Sequence, residues 1–194
     1  MTEFRDIIGK KLEAVSFSTS VYGHEDFSKD DKADFDYLPL GGLTILFEDK
    51  TVYCIADYFS TSLGTNGVGV KLLDDFKPWP NPKGNFEKWT TTIGKELKKV
   101  TLYWNKETWN NGMKNEMYPE SVQLTFDNYS VFYFCGEVDD FNYKENRYNL
   151  LSGHDAGIIF YSTASFKKHN LDKVEKLEEI TAYNNIFAPG GVDV

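Results

Sequence analysis

Apolar and polar positions alternate along most of this chain, and helical spacing is rare. Between Leu12 and Ser18, Val15 and Phe17 fall on one side and Ser16 and Ser18 on the other, which predicts a half-buried strand. Leu43-Thr44-Ile45-Leu46-Phe47 and Thr51-Val52-Tyr53-Cys54-Ile55 flank the polar triplet Glu48-Asp49-Lys50, and together they predict a β-hairpin. Tyr58 to Thr65 reads as irregular. Gly67 to Leu73 then reads as another short strand, its glycines suited to a bend or a close backbone approach. The pattern recurs further on: Leu97 to Trp104, Ser121 to Phe126, a turn at Asp127-Asn128, Ser130 to Cys135, and Ala156 to Tyr161.

One octapeptide appears twice. Ile8-Gly9-Lys10-Lys11-Leu12-Glu13-Ala14-Val15 and Ile93-Gly94-Lys95-Glu96-Leu97-Lys98-Lys99-Val100 agree at five of eight positions. Each follows a short apolar segment read as a helix. The first is capped by Thr2 and carries Phe4 and Ile7; the second is capped by Asn85 and carries Phe86 and Trp89. Gly9 and Gly94 end them. The expected fold is therefore mainly β: two tandem copies of a small antiparallel sheet unit with short helices, related by a pseudo-twofold. The expected boundaries are a first β-rich repeat over 1–76 and a Pro-rich connector over 77–84, where three prolines in five residues exclude a central strand. A second repeat covers 85–170. Leu171, Val174, Leu177 and Ile180 recur every three residues, so 171–194 is expected to hold an amphipathic helix and a tail.

Charge adds a surface to this frame. The 194 residues carry 30 acids and 21 bases, a formal charge of −9, which disfavours nucleic acid and anionic membranes and suits a basic partner. Residues 1–80 hold 14 acids and 8 bases; residues 81–194 hold 16 and 13. Much of the excess lies in 19–41, where Asp26, Asp30, Asp31, Asp34 and Asp36 predict a long exposed acidic loop. The stretch lacks the glycine and terminal glutamate of an EF-hand, so no metal is expected. The polar stretch 105–120 is expected to be the equivalent loop in the second copy, with Trp109 exposed on it as an interface anchor.

Candidate chemistry is sparse. Glu137, Asp139 and Asp140 follow the Cys135 strand and Asp57 follows its counterpart, an arrangement open to acid/base work or to ordinary strand-end turns. His24 beside Glu25 and His154 beside Asp155 are His–acid neighbours without a nucleophile placed against them. Cys54 and Cys135 lie inside apolar strands, which predicts buried free thiols rather than a disulfide. No cofactor motif is present, no apolar run is long enough to span a membrane, and Met1 to Asp6 does not read as a signal peptide. A cytoplasmic location is expected.

The paired Ile-Gly-Lys-x-Leu-x-x-Val motifs and the two hairpins, Leu43–Ile55 and Val122–Cys135, give an order that resembles small acidic immunity proteins of bacterial polymorphic-toxin and type VI secretion systems. The resemblance implies a non-enzymatic protein that neutralises one cognate toxin by direct binding. On that reading the loops at 24–37 and 105–120, with Glu137, Asp139 and Asp140, would meet a basic toxin domain. The alternative is a carbohydrate-active enzyme or small-ligand-binding protein that uses the strand-end carboxylates.

Overall fold

The computed structural model describes residues 3–17, 30, 32–38, 42–61, 64–77, 86–107, 116–127 and 129–183; the side chains of 37, 38, 86, 87, 107, 154 and 155 lie outside that description. The fold is mainly β. Among the described residues, ten strands form two antiparallel sheets. The smaller sheet contains β1 (Leu12–Phe17), β3 (Leu43–Phe47), β4 (Val52–Ser60) and β5 (Asn66–Leu73), in the order β1-β3-β4-β5. The larger contains β2 (Phe35–Leu38), β6 (Leu97–Glu107), β7 (Glu116–Phe126), β8 (Tyr129–Asn142), β9 (Arg147–Phe160) and β10 (Lys176–Thr181), in the order β10-β6-β7-β8-β9-β2. One α-helix, α1 (Thr163–Lys168), follows β9. The two expected short helices are 3-10 turns, Phe4–Ile7 and Phe86–Trp89. Glu3 is the N-cap of the first turn, and its backbone N–H donates to Asp6 Oδ2 at 2.9 Å; Thr2 and Asn85 lie outside the described residues.

The alternation read from the sequence is the sandwich interior. Leu43, Ile45, Phe47 and Ile55 of the smaller sheet face Val100, Val122, Leu124, Phe126 and Val131 of the larger, all fully buried in one cluster. Both expected hairpins form, with Leu43 opposite Ile55 and Val122 opposite Tyr133. The central strands of the larger sheet are apolar on both faces because both are covered. Their outer face carries Tyr103, Phe132, Phe134, Ile158 and Phe160, and Phe166 of α1 closes over them. Phe166 stacks on Phe132 with centroids 4.4 Å apart and meets Tyr103 edge-on at 5.0 Å. The Ser162 side chain starts α1 by accepting the Ser165 N–H at 3.0 Å.

The repeated octapeptides meet. The Gly9 N–H donates to the Leu97 carbonyl and the Gly94 N–H to the Leu12 carbonyl, at 2.9 and 2.7 Å. The Leu12 N–H donates to Lys95 and the Leu97 N–H to Lys10, both at 2.9 Å. Gly94, Lys95 and Leu97 each stand 85 residues beyond Gly9, Lys10 and Leu12, so the exchange is locally twofold. Both glycines take left-handed backbone angles, φ 82° and 75°, which a side chain would strain.

Several expectations are corrected. Within the stretch read as an exposed loop over 19–41, residues 35–38 form β2, which leaves the first half of the chain to pair with β9, Phe35 opposite Phe160. The expected Pro-rich connector lies, apart from Lys77, outside the described residues. The irregular stretch after Tyr58 is shorter than expected, because β4 continues through a bulge to Ser60. The loop read over 105–120 is shorter too, since β6 runs to Glu107 and β7 starts at Glu116. The C-terminal amphipathic helix is absent: Lys176–Thr181 is an edge strand, with Lys176 opposite Trp104 and Thr181 opposite Lys99. Its four periodic apolar residues part company. Leu171 and Val174 pack under α1, Ile180 packs on the sandwich interior, and Leu177 is exposed. A bare edge on β6 offers six residues a ladder, where an isolated short helix is marginal.

Candidate functional site

The β8–β9 hairpin is far longer than the expected strands. β7 pairs with β8 only from Phe126/Tyr129 to Ser121/Phe134, and β2 pairs with β9 only from Gly157 to Phe160. From Gly136 to Ser152 the hairpin continues as a two-stranded arm. Such a ribbon is marginal alone and needs one face covered. A bulge arranges this. Val138 pairs with Leu150 and Phe141 with Tyr148, so Asp139 and Asp140 together oppose Asn149. The extra residue brings Phe141 opposite Tyr148; Val138, Leu150 and Tyr148 pack on the cluster beneath α1, and both aspartates are exposed.

The chain before β2 straps this arm down. The Tyr148 hydroxyl donates to Asp30 Oδ2, and the Lys32 ammonium lies 4.7 Å from the Phe141 ring and 5.5 Å from the Tyr143 ring. Phe141 meets Tyr148 and Tyr143 edge-on at 5.0 and 5.1 Å. His169, at the C-terminal end of α1, places Nε2 3.1 Å from Asp34 Oδ1 and Nδ1 3.1 Å from the Tyr148 carbonyl oxygen. Lys168 approaches Asp34 at 3.6 Å.

The strap changes the meaning of the acidic stretch. Asp30, Asp34 and Asp36 each bond to a side chain of the second half of the chain. Asp36 is 2% exposed and accepts the Tyr161 hydroxyl at 2.5 Å. Burial and this carboxylate push the Tyr161 hydroxyl well above the ordinary tyrosine range. The bond from Tyr148 and the Lys32 N–H hold Asp30 below the usual carboxylate range. Burial pushes Asp34 upward, but the His169 bond and the charges of His169 and Lys168 outweigh it, so its carboxyl is also held low. The repulsion that a run of aspartates implies is relieved because each finds its own donor.

The remaining predicted positions separate. Asp139 and Asp140 are exposed on the arm, and Glu137 beside them is half-buried and engaged with a neighbour. All three lie inside β8, not beyond its end, and Asp57 likewise lies inside β4. Asp26, Asp31 and Trp109 lie outside the described residues, as do His24 and the His154 side chain. The His–acid pair that forms, His169 with Asp34, joins residues far apart in sequence, and sequence neighbours gave no signal for it. His169 is 6% exposed, and the pair holds α1 against the strap and the arm.

Cys54 and Cys135 are buried free thiols, and burial pushes the Cys54 thiol up, away from nucleophilic reactivity. Among the described residues no group of three or more His, Cys, Asp or Glu side chains is arranged to hold a metal. A groove of about 800 Å³ lies between the sheets, and a crevice of about 410 Å³ lies beside Ser16, Thr44 and Lys77. Neither is lined by Asp57, Glu137, Asp139 or Asp140, so these acids are not gathered for acid/base work there. No helix among the described residues is long and apolar enough to cross a membrane.

Two exposed apolar residues of the arm carried no weight in the reading of the sequence. Tyr143 is 82% exposed at its tip and Leu151 43% exposed, opposite Glu137. The chain matches no protein-family model, no curated protein and no solved structure at a significant level.

Proposed function

We propose that the protein is a non-catalytic protein-binding module, and most concretely an immunity protein that neutralises a basic toxin domain by direct contact. The observation that carries this reading is the strapped arm, which presents Asp139 and Asp140 beside the exposed side chains of Tyr143 and Leu151. Exposed aspartates raise the encounter rate with a basic surface, and an exposed tyrosine held by its neighbours supplies an anchor at little entropic cost. The strap matters because an arm already ordered loses less freedom on binding than a floppy one. Acidic character over the whole chain acts in the same direction.

The test compares the immobilised wild-type protein with Tyr143→Ala and with the double charge reversal Asp139→Lys/Asp140→Lys. Each is exposed to lysate of the source organism at low and high salt. The expected result is one basic protein retained by the wild type at low salt, released as salt rises, and lost from both variants. Retention of the same proteins by all three baits would rule the arm out as the contact surface.

A further inference from the structure

The two sheets are unequal, and the mismatch leaves a hollow. Four strands cannot cover six. β5 touches β7, β8 and β9, which leaves β10 and the adjoining part of β6 without a facing strand. The space between them is the groove of about 800 Å³, within the range of small-molecule sites. Its apolar surface comes from Phe4, Phe59, Val68, Val70, Trp104 and Ile180. Trp104 is half-buried there, steadied by the Phe59 ring edge at 6.0 Å.

The groove's lining carries two cations, Arg5 and Lys71, and two acids, Glu3 and Glu178. Arg5 and Lys71 line it, both are exposed, and neither is in an ion pair among the described residues. Lys176 lies 5.2 Å over the Trp104 ring. Against these three cations stand Glu3 and Glu178, and Glu178 is already bridged by Lys176 at 3.6 Å. With Glu178 held by Lys176, Arg5 and Lys71 remain at the groove outside any ion pair among the described residues, in a chain of formal charge −9.

We propose that the groove binds an amphipathic organic anion, its apolar body laid on Trp104, Phe59 and Val70 and its acidic head met by Arg5 and Lys71. Burying the body contributes the non-directional part of the affinity, and the cations select for an anionic head. The arm and its partner are elsewhere, so this site stands apart from the protein-binding reading.

The probe is 1-anilinonaphthalene-8-sulfonate, an aromatic anion whose fluorescence rises in apolar surroundings. The neutral comparison is N-phenyl-1-naphthylamine. The wild type is expected to bind the sulfonate saturably at one site, with laurate displacing it. Arg5→Gln/Lys71→Gln is expected to weaken sulfonate binding at least about ten-fold while leaving the neutral probe unchanged. Circular dichroism checks that the variant is folded; both substitutions are at exposed positions. A control pair, Lys144→Gln/Lys173→Gln, is expected to bind like the wild type. Non-saturable sulfonate binding, or equal loss in the control pair, or no loss in the Arg5/Lys71 variant, overturns the proposal.

Discussion

His169 Nε2 lies 3.1 Å from Asp34 Oδ1, while the other ring nitrogen lies 3.1 Å from the Tyr148 carbonyl oxygen. Both partners accept hydrogen bonds and neither can donate one. The ring thus bridges a carboxylate of the strap and a backbone carbonyl of the arm. The pair ties α1, the strap before β2 and the base of the β8–β9 arm into one unit. Asp34→Asn removes the carboxylate that faces His169 and Lys168 and is expected to cost about 1–3 kcal/mol at neutral pH. Because the Asp34 carboxyl is held below its unfolded value, its contribution is present above that value and is lost as pH falls through the folded one. Urea unfolding at a series of pH values should show wild type and Asp34→Asn converging as the solution becomes acidic. A gap that stays constant to low pH would show that the charge on Asp34 is not what stabilises.

Glu120 behaves in the opposite sense. It is 5% exposed, with the Asn105 amide 3.4 Å away, and burial pushes its carboxyl up against the opposing hydrogen bonds from Ser152 and Asn105. A raised folded value means that the contribution of Glu120 is intact below the unfolded value and is lost as pH rises through the folded one. Glu120→Gln keeps the shape and removes the charge. It is expected to be more stable than the wild type at pH 7, with the advantage shrinking toward about pH 4. A variant that is less stable at neutral pH would mean that the ionised carboxylate is needed.

Phe166 and Leu177 test the corrected C-terminal region. Phe166 is fully buried against Phe132 and Tyr103, so Phe166→Ala should cost about 3–5 kcal/mol. Leu177 is 57% exposed on the edge strand, so Leu177→Ala should fall within about 0.5 kcal/mol of the wild type. A helix packed through Leu171, Val174, Leu177 and Ile180 would make Leu177→Ala costly. Thermal unfolding of the two variants separates these outcomes.

Gly9→Ala and Gly94→Ala test the local twofold exchange. An added Cβ meets nothing within 4 Å at either position, so only the left-handed backbone is penalised. Each substitution is expected to cost about 1–2 kcal/mol. Gly157→Ala, whose Cβ would run into the buried Tyr133 ring, should cost more than either. Equal effects at all three positions would mean that backbone strain is not the deciding cost.

The strand-rich fold is legible along the chain because alternation is a local property. Each β-hairpin carries its register in its own apolar face and its turn, as Leu43–Ile55 and Val122–Cys135 show. Burial of both cysteines followed from the apolar runs around them. The meeting of the two Ile-Gly-Lys motifs was signalled by their likeness, though not the bonds they exchange.

The fate of the acidic residues and of the short segments depends on contacts between distant parts of the chain. Asp30, Asp34 and Asp36 read as solvent-facing because their donors, Tyr148, His169 and Tyr161, stand more than a hundred residues away. β2 joined the far sheet and Lys176–Thr181 became a strand because each found an unpaired edge, on β9 and on β6, that no local pattern announces. The arm and the groove have the same origin. A hairpin longer than its neighbours and a six-strand sheet wider than its four-strand cover leave surface that only assembly of the whole chain defines.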